Sequence, residues 1–231
     1  WMELFNSLEA LIMNNFNRLF IYLYSLLFCL RYLPFSTALR IPILVWPFSL
    51  KVKGLRKRDI AFSAPVRHGM VVVGFPGTEG RSTRKSLISV TDDVRIVFGD
   101  NVTLARGTQL VINGHELSIG NNFFCNGDCF FTCDDDIRIG DNCLFGWDID
   151  LNTTDGHRVM IEGEWRKSSG PIVLGNHIWV CSESHISKNV TLADGCVVAQ
   201  RSLVNKSCSI PKTLLGGMPA RALRTNVEWE K

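Results

Sequence analysis

The sequence predicts a mainly β chain wound as a parallel β-helix, with a helical segment ahead of it, and three observations carry that expectation. The first is a row of aliphatics at every sixth position: Leu174, Val180, Ile186, Leu192, Val198, Val204 and Ile210. A period of six is neither the 3.6 of a helix nor the 2 of a simple strand. It suits a coil with three flat faces of six residues each, so that eighteen residues return the chain to the same face. The second is a quieter row two places earlier, small or β-branched, at Ser184, Val190, Cys196, Ser202 and Cys208. A large inward residue with a small one beside it is the alternation that stacked coils need to bury an apolar edge. The third is that the same row continues upstream in trios: Phe98, Leu104, Leu110; then Ile119, Cys125, Phe131; then Ile139, Phe145, Leu151.

Within each trio the spacing is six, and between trios it is nine and then eight. Insertions of two or three residues therefore fall at the same corner of successive coils. Glycine follows a corner residue at Gly99, Gly120, Gly140, Gly146 and Gly175, where a tight turn wants a permissive backbone. The largest interruption runs from Leu151 to Leu174, 23 residues, and holds Asn152-Thr-Thr-Asp-Gly-His157 followed by a polar stretch to Gly170. Insertions in a solenoid collect on one face, often the binding face, so function is sought here.

Residues 1–50 are a different material. Apolar residues at 4, 5, 8, 11, 12, 16, 19, 20, 23, 26, 27 and 30 follow helical spacing. The charge-free apolar run from Leu19 to Leu30 is 12 residues, short of the ~20 that span a bilayer. No basic start with a small-residue cleavage site is present, which argues against a signal peptide. Pro34, Pro42 and Pro47 then interrupt regular structure, and the cations Lys51, Lys53, Arg56, Lys57 and Arg58 follow. Two placements are open for this segment: lying in the headgroup region of an anionic membrane, or packed on the end of the coil or on a neighbouring subunit. Residues 59–93, with Met70–Val73 and Leu87–Val90 around a Gly/Pro loop at Gly74–Gly80, do not fit the row and read as an irregular first layer. The expected division is an apolar helical segment at 1–50, a basic linker and irregular β layer at 51–93, a coil at 94–215 with a loop at 152–170, and a tail at 216–231.

Composition excludes several classes. Apolar content of 46% against 20% charge is that of a folded chain rather than a disordered one. A net charge of +3, without aromatics interleaved among the basic residues, gives no nucleic-acid footprint. The spacing of Cys125, Cys129 and Cys133 is not that of a zinc site. Cys129, Cys143, Cys196 and Cys208 fall on the small inward position, where cysteine acts as a compact hydrophobe. The expectation is therefore no metal, and reduced thiols in a cytoplasmic protein.

Four motifs together give the chain a family resemblance: Ile139-Gly-Asp-Asn, Thr154-Asp-Gly-His157, Pro171-Ile-Val-Leu-Gly-Asn-His-Ile-Trp179 and Gly216-Gly-Met-Pro-Ala-Arg221. Over roughly residues 95–225 the chain resembles the hexapeptide-repeat acyltransferases, in particular galactoside/maltose acetyltransferase-like enzymes and capsular or lipopolysaccharide O-acetyltransferases. The resemblance implies a left-handed β-helix, a hand that nothing else in the sequence gives, since parallel crossovers are otherwise nearly always right-handed. It also implies acetyl-CoA as donor, a sugar or glycan acceptor in surface-polysaccharide assembly, and a homotrimer with sites shared between adjacent coils.

By the same resemblance His157 is the general base that deprotonates the acceptor hydroxyl. Imidazole suits that task because it is free near neutral pH and can return the proton to the leaving thiolate. His68, His115, His177 and His185 have no such context and read as structural. Asp155 or a backbone carbonyl is left open as the group that orients His157. Asn126 and Asp134 match residues that hold the acceptor sugar, since amide and carboxylate read hydroxyls by hydrogen bonding. Trp179 and Ser182 match the wall of the coenzyme groove, and Lys206, Arg221 and Arg224 its phosphate end. The row near the pantetheine arm, usually small Gly/Ala in the enzymes it resembles, is here Cys181, Ser187, Ala193 and Ala199 followed by Gln200-Arg201, bulkier neighbours that would narrow the groove or favour acetyl over longer acyl groups. The rival readings are an amino-sugar N-acetyltransferase, a non-catalytic β-helix scaffold, and a zinc carbonic anhydrase of the same fold, which needs three convergent histidines.

Overall fold

A computed structural model describes residues 15–76, 82–91 and 93–230. The apolar positions at 4, 5, 8, 11 and 12 and part of the Gly74–Gly80 loop lie outside those residues. The described residues open with helix α1 (Asn15–Tyr32) and a single turn, α2 (Phe35–Ala38), started by Pro34. Most of the described strands that follow wind as a coil. The first turn is β1 (Ile43–Val45), β2 (Leu50–Lys53) and β3 (Ile60–Phe62), and the second is β4 (Val71–Val73), β5 (Ser86–Val90) and β6 (Arg95–Phe98). The third is β7 (Val102–Leu104), β8 (Gln109–Ile112) and β9 (Glu116–Ile119), and the fourth is β10 (Phe124–Cys125), β11 (Phe130–Cys133) and β12 (Ile137–Ile139). The fifth holds β13 (Leu144–Phe145) and β14 (Asp150–Asn152), leaves the coil for the hairpin β15 (Val159–Ile161) and β16 (Glu164–Arg166), and closes with β17 (Ile172–Leu174). The sixth is β18 (Trp179–Val180), β19 (His185–Ser187) and β20 (Val190–Leu192). Strands β21 (Val197–Val198) and β22 (Leu203–Val204) begin another turn, and β23 (Leu214–Gly217) folds back as β24 (Ala220–Arg224).

Each turn lays one strand on each of three sheets. Face A stacks β1, β4, β7, β10, β13, β18, β21 and β23; face B stacks β2, β5, β8, β11, β14, β19 and β22; face C stacks β3, β6, β9, β12, β17 and β20. Pairing is parallel throughout these stacks, and only β24 on β23 and the β15–β16 hairpin are antiparallel. The result is a three-sided parallel coil. Its interior is the residue row read from sequence: all nine members of the three trios are buried, as are Leu174, Val180, Ile186, Leu192, Val198 and Val204. Ile210 departs from the row. It lies past β22 in the irregular return to β23 and is 54% exposed, because no further turn stacks on it.

Two boundaries also move. The segment 1–50 is helical only in part, and residues 51–93 are not an irregular layer: β1 to β6 occupy the same three sheets in the same order as the later turns. The coil thus starts at Ile43. Longer corners between those strands hide the six-residue spacing while the sheet register is kept.

The glycines have a different task from the one expected. None of Gly99, Gly120, Gly140, Gly146 and Gly175 takes a positive φ. A Cβ on Gly99 would sit 2.6 Å from the carbonyl carbon of Gly120 and one on Gly146 2.6 Å from the Ser182 nitrogen, so these positions are glycine because the next coil passes too close. The left-handed conformation falls instead two residues on, at Asn101, Asn122, Asn142 and His177, and at the A–B corner on Asp128, Asp148 and Glu183. Asn and Asp tolerate that region best among side-chain-bearing residues. Their neighbours tie coil to coil: Asn121, Asp141, Asn176 and Asp194 each accept a hydrogen bond from the backbone N–H one turn below, at 2.7–2.9 Å.

All eight cysteines are free. Cys125, Cys129, Cys133, Cys143 and Cys196 are fully buried, and the thiol of Cys129 donates to the carbonyls of Asn126 and Gly146. Burial pushes Cys133 up to about 12 and raises Cys129 well above its ordinary value, so both stay protonated. A thiol kept protonated by burial is not a nucleophile.

Candidate active site

The corner between faces B and C carries every late insertion: Asn113–Gly114–His115 after β8, Asp134–Asp135–Asp136 after β11, and the whole excursion between β14 and β17. That excursion leaves on a stalk. Thr153 is fully buried; its hydroxyl donates to the Thr132 carbonyl (2.9 Å) and accepts the backbone N–H groups of Asp134 (2.8 Å) and Asp135 (3.1 Å). The two limbs are joined by Gly170 N–H to the Thr153 carbonyl (2.9 Å) and Asp155 N–H to the Ser168 carbonyl (2.8 Å). Asp155 is exposed, and its carboxylate receives Lys188 Nζ at 2.6 Å, while the same ammonium donates to the Lys167 carbonyl at 2.7 Å. Lys188 thus braces both limbs from β19's side.

At the top of the stalk Gly156 turns the chain at φ +77°, its N–H held by the Thr154 hydroxyl at 3.0 Å, and presents His157. The His157 ring is exposed and makes no hydrogen bond among the described residues, so both ring nitrogens are open to a partner. Asp155, engaged by Lys188, does not orient it. Beyond His157 the hairpin exposes Val159, Met160, Ile161 and Trp165, with the Arg158 guanidinium 5.1 Å from the Trp165 ring centre.

Asp134 stands at the foot of the stalk and accepts Asn113 Nδ2 at 2.5 Å. Asn126 is on the opposite edge of face B, at the A–B corner, with its amide 3.4 Å from the Phe145 carbonyl. Ser182 shares that corner two turns further along, and its hydroxyl accepts the Trp147 N–H at 3.0 Å. Trp179 is on the outer side of face A, in register with Leu144 and Val197. The chain's own tail reaches it: Trp229 stacks on His177 (4.1 Å, 8°), exchanges hydrogen bonds with its backbone and ring at 3.0 and 3.1 Å, and lies 5.8 Å from the Trp179 ring. Lys206, Arg221 and Arg224 are exposed at the last turn. Among the described residues none of the three meets a carboxylate, and the two guanidinium groups bond only to the carbonyls of Ala220 and Leu223. Within one chain, then, His157 with Asp134 and the pair Asn126 with Ser182 occupy opposite edges of face B.

Sequence reasoning missed one constellation. His185 Nδ1 lies 3.0 Å from Asp150 Oδ2, both half exposed on the outer side of face B, Asp150 one rung and His185 two rungs beyond Phe130. Here is an imidazole with an orienting carboxylate, the partner that His157 lacks. The two residues are 35 apart in sequence, a separation set by the excursion, so no period could have paired them. One group of metal-capable side chains also converges among the described residues, His115 with Asp135 and Asp136, but Asp136 already pairs with Arg138 at 2.7 Å.

No protein-family model matches the chain. It is 35% identical over 115 residues to the galactoside O-acetyltransferase of Escherichia coli, covering 48% of this chain and 55% of that protein. It is 39% identical over 56 residues to a chloramphenicol acetyltransferase of Agrobacterium fabrum, 24% of this chain and 26% of that one. The chain spans about half the length, or less, of the curated relatives it matches. Its sequence relatives are acetyltransferases. Among solved structures, the polysialic-acid-specific acetyltransferase NeuO superposes at TM-score 0.49 with 20% identity, over 82% of this chain and 89% of that one.

Proposed function

We propose that the protein is an acetyl-CoA-dependent acetyltransferase that modifies a sugar or glycan hydroxyl by direct transfer, wound as a left-handed coil like the acyltransferases it resembles. The observation that carries the reading is the stalk: at the B–C corner the chain leaves its coil on a long, braced excursion, and that excursion presents an imidazole without a hydrogen-bond partner among the described residues. His157 takes the proton of the acceptor hydroxyl as oxygen attacks the thioester carbonyl. The C–O bond forms, the C–S bond breaks, and the proton passes to the departing coenzyme A thiolate. Asp134 and Asn126 hold acceptor hydroxyls, and Asp155 with Lys188 fixes the stalk. Trp179 and Ser182 line the donor groove; Lys206, Arg221 and Arg224, free of carboxylates, take its phosphates. From β18 to β24 is three strand spacings, about 14 Å, which separates the reacting end from the phosphate end along face A.

Opposite edges of one face cannot meet across a single chain. We read the exposed apolar hairpin as the contact that seats the stalk of one copy against the A–B corner of the next, giving a closed trimer with three shared sites. The test measures thiol release from acetyl-CoA against a panel of sugar acceptors. His157→Ala is expected to lose at least a hundredfold in kcat, the range general-base catalysis contributes, while still binding coenzyme A. Wild-type turnover in that variant overturns the assignment. Acceptors that react only through an amine would move the protein to the N-acetyltransferases.

A further inference from the structure

Residues 15–58 contain eight cations (Arg18, Arg31, Arg40, Lys51, Lys53, Arg56, Lys57 and Arg58) and no carboxylate; the flanking acids are Glu9 before the stretch and Asp59 after it. In the rest of the chain the two signs are mixed. The one-sided stretch coincides with a cluster of exposed apolar side chains on helix α1. Helix α1 buries one face, Ile21, Ser25, Phe28 and Cys29, against the first coil, and Leu33 just past its end is buried too. The Ser25 hydroxyl accepts the Val45 N–H at 2.9 Å, which fixes the helix across the open end. The opposite face carries Leu19, Phe20, Leu23 and Leu27, the last 66% exposed, and the row Leu23, Leu27 ends at Arg31 one turn on. Phe48, in the turn between β1 and β2 and 66% exposed, extends it, with its ring 6.0 Å from Phe20 and 5.7 Å from Tyr24. A groove lined by Leu27, Arg31, Leu50 and Val52 joins the helix to β2, whose outward residues are Lys51 and Lys53.

An apolar face of this size calls for a cover, and charge decides which. A second copy docked on the same face would bring two carboxylate-free clusters of cations together, each repelling the other. An anionic lipid surface covers the apolar side chains and neutralises the cations at once. Spanning is not the mode: no described helix is long and apolar enough to cross a membrane, and the inner face of α1 is already committed to the coil. We propose that this end of the coil docks on an anionic bilayer surface, with α1 lying in the headgroup plane and Lys51, Lys53 and Lys57 over the lipid phosphates. The coil then stands with its capped end on the membrane.

The experiment is flotation of the full-length chain with vesicles of phosphatidylcholine alone and of phosphatidylcholine mixed with phosphatidylglycerol. Co-flotation with the mixed vesicles only, weakened by added salt, is expected. Lys51→Glu with Lys53→Glu should reduce partition by about tenfold or more, since each basic residue at a lipid surface contributes on the order of 1 kcal/mol. Leu23→Glu with Leu27→Glu should do the same, both variants keeping the wild-type melting temperature because the side chains are exposed. Phe48→Ser, outside the helix, repeats the test if the helix variant melts early. Equal binding to both vesicle types, or to neither, overturns the proposal. So does sedimentation showing that Leu27→Glu dissociates an oligomer, which would mean that a second copy covers the face.

Discussion

The first two turns of the coil and the sixth build the same wall from different lengths of chain. Ile43 pairs with Val71 after 28 residues and Val71 with Val102 after 31, whereas Trp179 pairs with Val197 after 18. Yet Val45, Val73 and Ile88 are as well buried as Val180 and Ile186. What a turn must conserve is the inward residue and the strand register; the corners are free to lengthen. Late turns, with minimal corners, read as a repeat. Early turns spend their extra residues on the basic corner around Lys57 and on the segment after Val73, and so lose the period without losing the fold.

Ile88→Ala and Ile186→Ala remove equivalent inward side chains from an early and a late turn, and each should destabilise by about 2–5 kcal/mol. Denaturant unfolding that gives Ile88→Ala less than half the cost of Ile186→Ala would show that the early turns are a separately stable layer. Next is Ser25→Ala, which leaves the buried Val45 N–H without its partner and should cost about 1–3 kcal/mol. Hydrogen exchange should place the loss in β1 and β4; uniform loosening would contradict the cap.

The last effect concerns the thiols and appears only at alkaline pH. Burial lifts Cys29 from 9.0 to about 11, and the backbone carbonyl of Ile43 only partly offsets this; Cys133 is lifted to about 12. Below pH 9 the protonated native thiols cost nothing. Above it the unfolded chain releases protons that the native chain keeps, so stability falls as pH rises toward those raised values, by at most about 1.4 kcal/mol per thiol per pH unit. A melting temperature flat across that alkaline window would show that the thiols are more accessible than the fold makes them.

By itself the sequence determined the three-sided winding, because a six-residue aliphatic period has one economical solution in three dimensions. It also marked the excursion at 152–170 and the lone His157 on it, since a break in a strict repeat is visible as arithmetic. Only the tertiary structure decided where the coil begins, since hydrogen-bond register survives corner insertions that erase periodicity. The same holds for the glycines, which answer to the backbone one turn away rather than to their own φ. The tertiary structure alone paired Asp150 with His185 and set His157 and Ser182 on opposite edges of one face. Contacts between successive turns depend on every insertion lying between them, and linear spacing holds no record of that sum.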